Sequence, residues 1–321
     1  MQVFTSLDEF RARGETAVSV GVFDGFHVGH ARVIGELVSA ARERGLVACV
    51  LTFTTHPRKV LSGEPLDLVT SAEHRLALLE RAGVDVAVAM EFTREFASLA
   101  VEAFVEDVLR GKLGARLVVI GPDARLGAGR AGDAARLREA AGASGIEVRV
   151  VEPVYVGGQP VSSTRVREAV QSGDLAAAEA LLGRRISVLG QVVPGRGVGR
   201  RLGFPTANLD VRREVRPPYG VYAAWAHVEN ERLPSVANVG SRPTFSGAAA
   251  SVAGQGLRAD RLVEAHILDP AGREIYGRTV ELEFVKKLRD ERRFGTDAEL
   301  AAQIARDAEA ARRVLSEDGA R

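Results

Sequence analysis

The chain has 321 residues, of which 46% are hydrophobic and 26% are charged, and this composition excludes a disordered or collagen-like protein. The 43 Lys and Arg residues nearly balance the 42 Asp and Glu residues, so a net charge of +1 argues against nucleic acid as a partner. The single cysteine, Cys49, excludes an internal disulfide and a cysteine-rich zinc cluster.

The length favours two domains over one. No stretch reaches the roughly 18 uninterrupted apolar residues of a membrane span. The first residues carry acidic side chains where a signal peptide would have a basic flank and an apolar core. We therefore expect a protein of the reducing cytoplasm without a membrane partner.

Short apolar runs alternate with helical patterns over the first half of the chain. The runs predict strands buried on both faces at 17–22, 46–53, 84–89, 117–120 and 146–151. Thr70 and Glu73 have capping-box spacing at the start of a helix that ends near Gly83, and another helix is predicted over 95–109. This alternation predicts a doubly wound parallel sheet, whose ligands bind beyond the carboxyl ends of the strands.

A histidine pair stands where the first long strand gives way to a helix. His27 and His30 are three residues apart, which places both imidazoles on one helical face, and Gly25 and Gly29 allow a ligand to approach the backbone. Backbone N–H groups at a helix start favour phosphate. A metal site and a histidine pair that merely satisfies the turn are alternatives, although a third zinc ligand is lacking nearby.

A second group of polar residues follows the last strand of the predicted sheet, at the start of another helix. It consists of Ser162, Ser163, Thr164, Arg165 and Arg167. Three hydroxyls and two guanidinium groups at a helix N-terminus form an anion cradle. N-capping by Ser163 or Thr164 is the structural alternative, and it explains only one of the hydroxyls. Both groups are expected at the same edge of the sheet.

From about residue 186 the pattern changes to short β segments separated by Gly, Pro and Asn turns. Strands predicted at 186–193, 220–228, 235–239, 262–268 and 279–285 favour a small antiparallel barrel. Thr296 and Glu299 have capping-box spacing before a terminal helix over 297–315. We place the domain boundary after residue 184, which gives domains 1–184 and 185–321. The Gly-, Ala- and Ser-rich segment 246–260 is expected to form a surface loop.

A glycine-rich segment follows the first predicted barrel strand. Gly195, Gly197 and Gly199 expose backbone N–H groups that suit phosphate oxygens, and Arg200 offsets their charge. Without a following Gly-Lys-Ser/Thr sequence it is not a P-loop, and a flexible hairpin would show the same glycine pattern.

Two further features of this half carry oxygen donors. Thr206 and Asn208 offer the neutral oxygen atoms that Mg²⁺ accepts as ligands. Glu264 and His266 alternate along a predicted strand and so share one of its faces. For a strand Glu considered alone, a solvated strand face is the more common explanation.

The two halves together resemble bacterial bifunctional riboflavin kinase/FAD synthetases, over nearly the whole chain. In the first half the resemblance rests on the His-x-Gly-His turn, on the Ser-Ser-Thr-x-x-Arg segment, and on residues 52–57 and 121–123. In the second half it rests on the Pro-Thr-Ala-Asn signature within 202–209 and on segments 219–222, 237–245, 264–266 and 287–291.

The resemblance implies a riboflavin kinase-like barrel that converts riboflavin and ATP to FMN. It also implies a Rossmann-like nucleotidyltransferase domain that joins FMN and ATP into FAD and pyrophosphate, with Mg²⁺ as cofactor. The implied catalytic residues are Glu264, as the base for the ribityl 5′-hydroxyl, and His27 and His30, on the ATP phosphates. The implied ATP or phosphate contacts are Gly25, Gly29, Asp123, Ser163, Thr164, Arg167, Gly195, Gly197, Gly199 and Arg200. The implied flavin contacts are Arg242, Phe245 and Arg289, and the implied metal ligands are Thr206 and Asn208.

The sequence departs from the family at a few positions. Ala124 and Leu126 stand where the family usually has aromatic rings, and Pro194 stands where it often has His. Because both rings are lost, an alternative is that the protein is a kinase for riboflavin or a flavin analogue and that its adenylyltransferase domain is degenerate or altered. A non-catalytic flavin-binding regulatory protein is a further alternative. The 246–260 insertion is expected to act as a lid over the flavin.

Overall fold

The structure is a computed structural model, and it describes residues 1–11, 14–64, 66–130, 132–194, 198–211, 214–241, 261–268 and 275–319. The chain forms two compact units, Met1–Leu66 with Ala72–Arg165, and Asp67–Ser71 with Val166–Arg321. The domain boundary after residue 184 stays a prediction. Among the described residues, no helix is both long and apolar enough to span a membrane.

The first unit is built on a six-stranded sheet in which every strand pairing is parallel. Its strands are β1 (Gln2–Phe4), β2 (Thr16–Val20), β3 (Val47–Phe53), β4 (Val86–Met90), β5 (Ala115–Ile120) and β6 (Glu147–Val150), in the order β1-β4-β3-β2-β5-β6. This order confirms the predicted doubly wound fold. It places β2 at the centre, where the winding changes direction and ligands bind at the carboxyl edge.

Helices cover both faces of this sheet. They are α1 (Val28–Arg44), α2 (Pro57–Ser62), α3 (Ala72–Arg81), α4 (Arg94–Ala97), α5 (Val101–Ala103), a π-helix (Phe104–Lys112), α6 (Ala134–Ala143) and the start of α7 (Ser163–Ser172). In β2, Ala17 packs on the α1 and α3 side, whereas Val18 and Val20 pack on the π-helix and α6 side. Burial on both faces explains the continuous apolar runs in the sequence.

The predicted helix over 95–109 is interrupted in the structure, and that prediction was wrong in its continuity. Short helices α4 and α5 precede the π-helix instead. The carbonyl of Leu99, between α4 and α5, accepts a hydrogen bond from the Ala128 N–H at 2.7 Å. The Leu99 carbonyl is thus bonded to a residue far away in the sequence. The local sequence pattern therefore does not reveal that the helix is interrupted here. β1 and a small hairpin, β7 (Tyr155–Val156) with β8 (Gln159–Pro160), were also not predicted.

The second unit contains a closed antiparallel barrel, as predicted. After α8 (Leu175–Leu182) come β9 (Ser187–Val193), α9 (Val198–Arg201), β10 (Ala207–Asp210), β11 (Gly220–Val228), β12 (Glu231–Ser241), β13 (Arg261–Ile267) and β14 (Thr279–Arg289). The strands close in the order β10-β13-β12-β11-β14-β9. β10 was missed in the sequence, because its four residues directly follow the turn residues Pro205 and Thr206.

The chain ends in α10 (Asp297–Gly319), which packs on the barrel. The hydroxyl of Thr296 accepts a hydrogen bond from the Glu299 N–H at 3.2 Å, as the predicted cap requires. Ala308, Ala311 and Leu315 are buried in one cluster with barrel residues. The Asp318 carboxylate, at the end of the helix, accepts hydrogen bonds from Arg185 and from the Trp225 ring nitrogen. The helix is therefore capped at its start and bound to barrel residues near its end.

Candidate active sites

The first candidate site lies beyond β2, where the chain turns into α1. His27 is the N-cap of α1, and its Nδ1 accepts a hydrogen bond from the His30 N–H at 3.3 Å. The two rings stack with centroids 3.6 Å apart and an interplanar angle of 15°. Because Nδ1 of His27 is an acceptor, the neutral ring carries its proton on Nε2. The helical spacing therefore does bring the two imidazoles together.

The environment of His30 keeps its imidazole neutral. Burial lowers the pKa of His30 well below 6.5, and the nearby His27 ring and Arg75 guanidinium lower it further. Arg75, on α3, is only 1% exposed and donates a hydrogen bond to the Phe53 carbonyl at 2.6 Å. No sequence pattern marked Arg75 as a neighbour of the histidines, because a helical Arg is usually a solvated residue.

Acidification is expected to destabilise the first unit through His30. The unfolded chain takes up a proton on His30 as the pH falls through about 6.5, whereas the folded chain resists it, so the unfolded state binds more protons. This group costs no stability above about pH 6.5, and the free energy of unfolding falls progressively below that pH. Thermal unfolding between pH 7.5 and 5.5 should show a smaller decline for His30→Asn than for the parent. Parallel curves would contradict the expectation.

The loop between β2 and α1 is held in an unusual backbone conformation. Phe23, Gly25 and Phe26 have φ angles of 53°, 81° and 41°. Two non-glycine residues with positive φ are a strained arrangement, which burial of both phenylalanine rings offsets. At Gly29 a Cβ would come within 3.1 Å of the His27 ring. Gly25 thus serves the turn, and Gly29 makes room for the stacked imidazole.

Ser163 of the predicted hydroxyl cluster bonds to this loop. The Ser163 hydroxyl, at the start of α7, donates to the Asp24 carbonyl at 2.8 Å. The cap of α7 is Ser162, whose hydroxyl accepts from the Arg165 N–H at 3.3 Å, so capping by Ser163 or Thr164 was wrong. Thr164 is exposed. Arg167 belongs to the second unit, where its Nε donates to the Asp67 carbonyl at 2.7 Å.

The loop after β5 carries Asp123, a further predicted nucleotide contact. Asp123 is exposed in the turn that follows Ile120. Ala124 and Leu126 pack against the core on the π-helix side of the sheet, and Leu126 exchanges two backbone hydrogen bonds with Gly132, at 2.9 and 2.8 Å. The two positions that depart from the family therefore hold apolar, non-aromatic side chains against the core.

The second candidate site lies on the barrel, around Glu264. Strand register places Asn208 of β10 and Asn238 of β12 directly opposite Glu264 of β13, one on each side. Directly opposed residues project from the same face of a sheet. Burial raises the pKa of Glu264, a hydrogen bond from the Asn238 side chain lowers it, and the Glu291 carboxylate raises it. The site is a row of amide, carboxylate and amide across three strands.

The turn before β10 is packed tightly against α9. A Cβ at Gly199 would collide with the Phe204 carbonyl and would come within 3.0 Å of the Thr206 hydroxyl. The Pro205 carbonyl lies 2.8 Å from the His266 Nδ1. Glycine is therefore needed at 199 for close packing. Arg200 is exposed on α9, and the predicted contacts Gly195 and Gly197 lie outside the described residues.

Arg289, a predicted flavin contact, takes part in an ion pair between β14 and α10. Its Nε and a terminal nitrogen lie 3.0 and 2.7 Å from the Asp307 carboxylate, which also accepts a hydrogen bond from Gln303 at 2.7 Å. Asp307 is only 5% exposed. The other predicted flavin contacts, Arg242 and Phe245, and the 246–260 insertion lie outside the described residues. The sequence did not reveal that Arg289 has this structural partner.

Loss of the Asp307 carboxylate is expected to destabilise the second unit. Asp307→Asn leaves a guanidinium without its counter-charge, which we expect to lower the free energy of unfolding by about 2 kcal/mol, less than for a fully buried pair. Asp290→Asn is the matched control, because it removes only an exposed pair with Lys287. Denaturant unfolding of both variants measures the difference. Equal stability of the two variants would show that the Arg289 pair contributes nothing.

Comparisons with known proteins cover both units. A family model described as FAD synthetase matches residues 10–165, and one described as riboflavin kinase matches residues 182–315. The chain is 38% identical to the bifunctional riboflavin kinase/FMN adenylyltransferase of Escherichia coli (strain K12), over 90% of each chain. It is 33% identical to the protein of the same name from Bacillus subtilis (strain 168), over 95% of this chain and 94% of the relative.

A solved structure also matches nearly the whole chain. A crystal structure described as a macrolide-efflux protein from Streptococcus pneumoniae superposes with a TM-score of 0.78 at 29% identity, covering 97% of this chain and 98% of that one. The likeness therefore extends across both the parallel sheet and the barrel.

Proposed function

Because the chain belongs to the bifunctional riboflavin kinase/FMN adenylyltransferase family, we propose that each of its two activities is carried by one of the two candidate sites. The barrel site around Glu264 phosphorylates riboflavin. The site at the His27 and His30 pair adenylylates FMN. The bifunctional enzyme predicted from the sequence is confirmed at the level of the family, in preference to a regulatory flavin binder.

The observation that carries the kinase assignment is the position of Glu264 between Asn208 and Asn238. In phosphoryl transfer, the ribityl 5′-hydroxyl oxygen bonds to the γ-phosphorus of ATP, the bridging P–O bond breaks, and ADP leaves. Glu264 accepts the hydroxyl proton. Burial that raises the pKa of Glu264 makes it a stronger base than an exposed carboxylate, and opposed amides restrict its orientation.

The oxygen atoms near Glu264 suit a Mg²⁺ ion that takes most of its ligands from the ATP phosphates and water. Thr206 and Asn208 supply a hydroxyl and an amide oxygen, and Mg²⁺ takes few protein ligands beside substrate phosphates and water. A side chain at residue 199 would crowd the Thr206 hydroxyl, and glycine leaves that oxygen unobstructed on this side. When bound, Mg²⁺ neutralises charge on the β- and γ-phosphates. Thr206 and Asn208 would hold it beside the base.

The adenylyl transfer needs no general base. A phosphate oxygen of FMN bonds to the α-phosphorus of ATP, the bond to the β-phosphate oxygen breaks, and pyrophosphate leaves. The nucleophile is already an anion, so catalysis consists of alignment and stabilisation of charge. The His27 and His30 rings are the proposed N–H donors at the end of β2, and the Ser163 hydroxyl bonds the start of α7 to the same loop. Asp123 and Thr164 are proposed contacts of the nucleotide.

Product analysis tests whether the protein has both activities. Purified protein is incubated with riboflavin, ATP and Mg²⁺, and the products are separated by chromatography. FMN followed by FAD is the expected result. FMN alone would support the alternative of a degenerate or altered adenylyltransferase domain, and absence of both products would contradict the proposal. The same assay with Mn²⁺ or Ca²⁺ in place of Mg²⁺ tests which divalent cation supports the reactions.

The reducing cytoplasm is the proposed location of the protein, which fractionation of cells would test.

A further inference from the structure

Two side chains, those of Asn238 and Glu291, meet above Gly240 of β12, beside the barrel site. An ideal Cβ at Gly240 would lie 2.5 Å from Oε1 of Glu291 and 3.1 Å from Nδ2 of Asn238. Asn238 and Gly240 are two residues apart in a strand, so they share a face. The Glu291 carboxylate therefore occupies space that is open only because residue 240 has no side chain.

Asn238 connects this carboxylate to Glu264. The register of β12 and β13 places Asn238 opposite Glu264, and its side chain donates a hydrogen bond to the Glu264 carboxylate. The negative charge of Glu291 is close enough to Glu264 to raise the pKa of Glu264. The Asn238 amide is thus next to two carboxylates. Its NH₂ group is attracted by both, whereas the flipped amide would turn its oxygen toward negative charge.

Glu291 has no ion-pair role among the described residues. Its neighbours do: Asp290 pairs with Lys287, and Arg289 pairs with Asp307. Glu291 itself is exposed, and it places a second negative charge near a half-buried Glu264. Two carboxylates that face one amide disfavour each other, so this arrangement does little for the stability of the fold. A role in orienting the side chains of the barrel site accounts better for the position of the Glu291 carboxylate.

We propose that Glu291 is a positioning residue for riboflavin phosphorylation: its carboxylate, seated over Gly240, keeps the NH₂ group of Asn238 toward Glu264 and so fixes the orientation of the base. This inference depends on the proposed role of Glu264. Glu291 does not take the proton itself. Without it, the Asn238 amide can rotate, and Glu264 loses the hydrogen bond that holds its carboxylate toward the substrate hydroxyl.

The test is a double-mutant cycle on kcat for riboflavin phosphorylation. Glu291→Ala is expected to lower kcat about tenfold, with the KM for ATP and the melting temperature unchanged. Glu291→Gln should recover most of the rate, because its amide oxygen still attracts the NH₂ group of Asn238. Asp290→Asn, at the adjacent position, is the control and should keep the parental rate. In a Glu264→Gln background, Glu291→Ala should cause no further loss.

Two results would overturn the inference. One is a parental kcat for Glu291→Ala. The other is an equal loss with and without Glu264, because an effect that does not pass through the base must survive its removal. A parental rate for Glu264→Gln alone would have a different meaning: the base assignment itself would fail, and the positioning role with it.

Discussion

Riboflavin phosphorylation is expected to fall about 10³-fold in Glu264→Gln, within the roughly 10²–10⁴-fold range of general base catalysis. Gln keeps the size of the side chain and removes the group that accepts the 5′-hydroxyl proton. Because Asn208 and Asn238 still flank residue 264, the barrel should remain folded and bind riboflavin with nearly unchanged affinity. The loss should therefore appear in kcat, measured as FMN formed with saturating ATP.

The same protein supplies the control for this experiment. Adenylylation of added FMN takes place in the other unit, and its rate should be unchanged in Glu264→Gln. Glu264→Asp is a second control, because it keeps a carboxylate but withdraws it from the flanking amides, and an intermediate rate is expected. If Glu264→Gln phosphorylated riboflavin at the parental rate while it bound flavin normally, Glu264 would not be the base.

FAD formation from added FMN is expected to fall about 10²–10³-fold when the His27 N–H donor is lost, the usual effect of removing one donor to transition-state charge. The Nδ1 atom of His27 caps α1, and its Nε2 is the nitrogen that we propose as the donor. His27→Asn separates these two roles, because Asn is a favoured N-cap that retains an acceptor but lacks the ring N–H. The rate should fall in this variant without a matching loss of stability.

Two comparisons make the result specific. His27→Ala should lose the cap as well, so its melting temperature should fall below that of His27→Asn although FAD formation is equally slow. His30→Asn should also slow FAD formation, because it removes the second ring of the stack. Riboflavin phosphorylation should be unchanged in all three variants. A His27→Asn protein that makes FAD at the parental rate would assign His27 to the cap alone.

Much of the architecture could be predicted because its signals are local. Strands buried on both faces are continuous apolar runs, and the five long strands of the first unit were found with small errors at their ends. The cap at Thr296 depends on residues three apart. The strand β10 was missed because it has only four residues and directly follows Pro205 and Thr206, which are typical of a turn.

In the candidate sites, too, features with a local sequence signal could be predicted and contacts between distant residues could not. The position of His27 and His30 followed from chain order, because the carboxyl end of a parallel strand is a ligand site whatever its neighbours are. Arg75 beside His30 and Asp307 beside Arg289 could not be predicted, since each contact joins residues from different elements. The alignment of Asn208, Glu264 and Asn238 depends on strand register, and a shift of one residue would turn Glu264 to the other face.

The sequence by itself determined the classes of structure and the chemistry available to them. Periodicity and turn residues specified a parallel sheet followed by a barrel, and residue types specified histidines, hydroxyls and a carboxylate for phosphate chemistry. Only the tertiary structure decided which groups act together and in which ionisation state. Burial and neighbouring charges, which come from distant parts of the chain, keep His30 neutral and raise the pKa of Glu264.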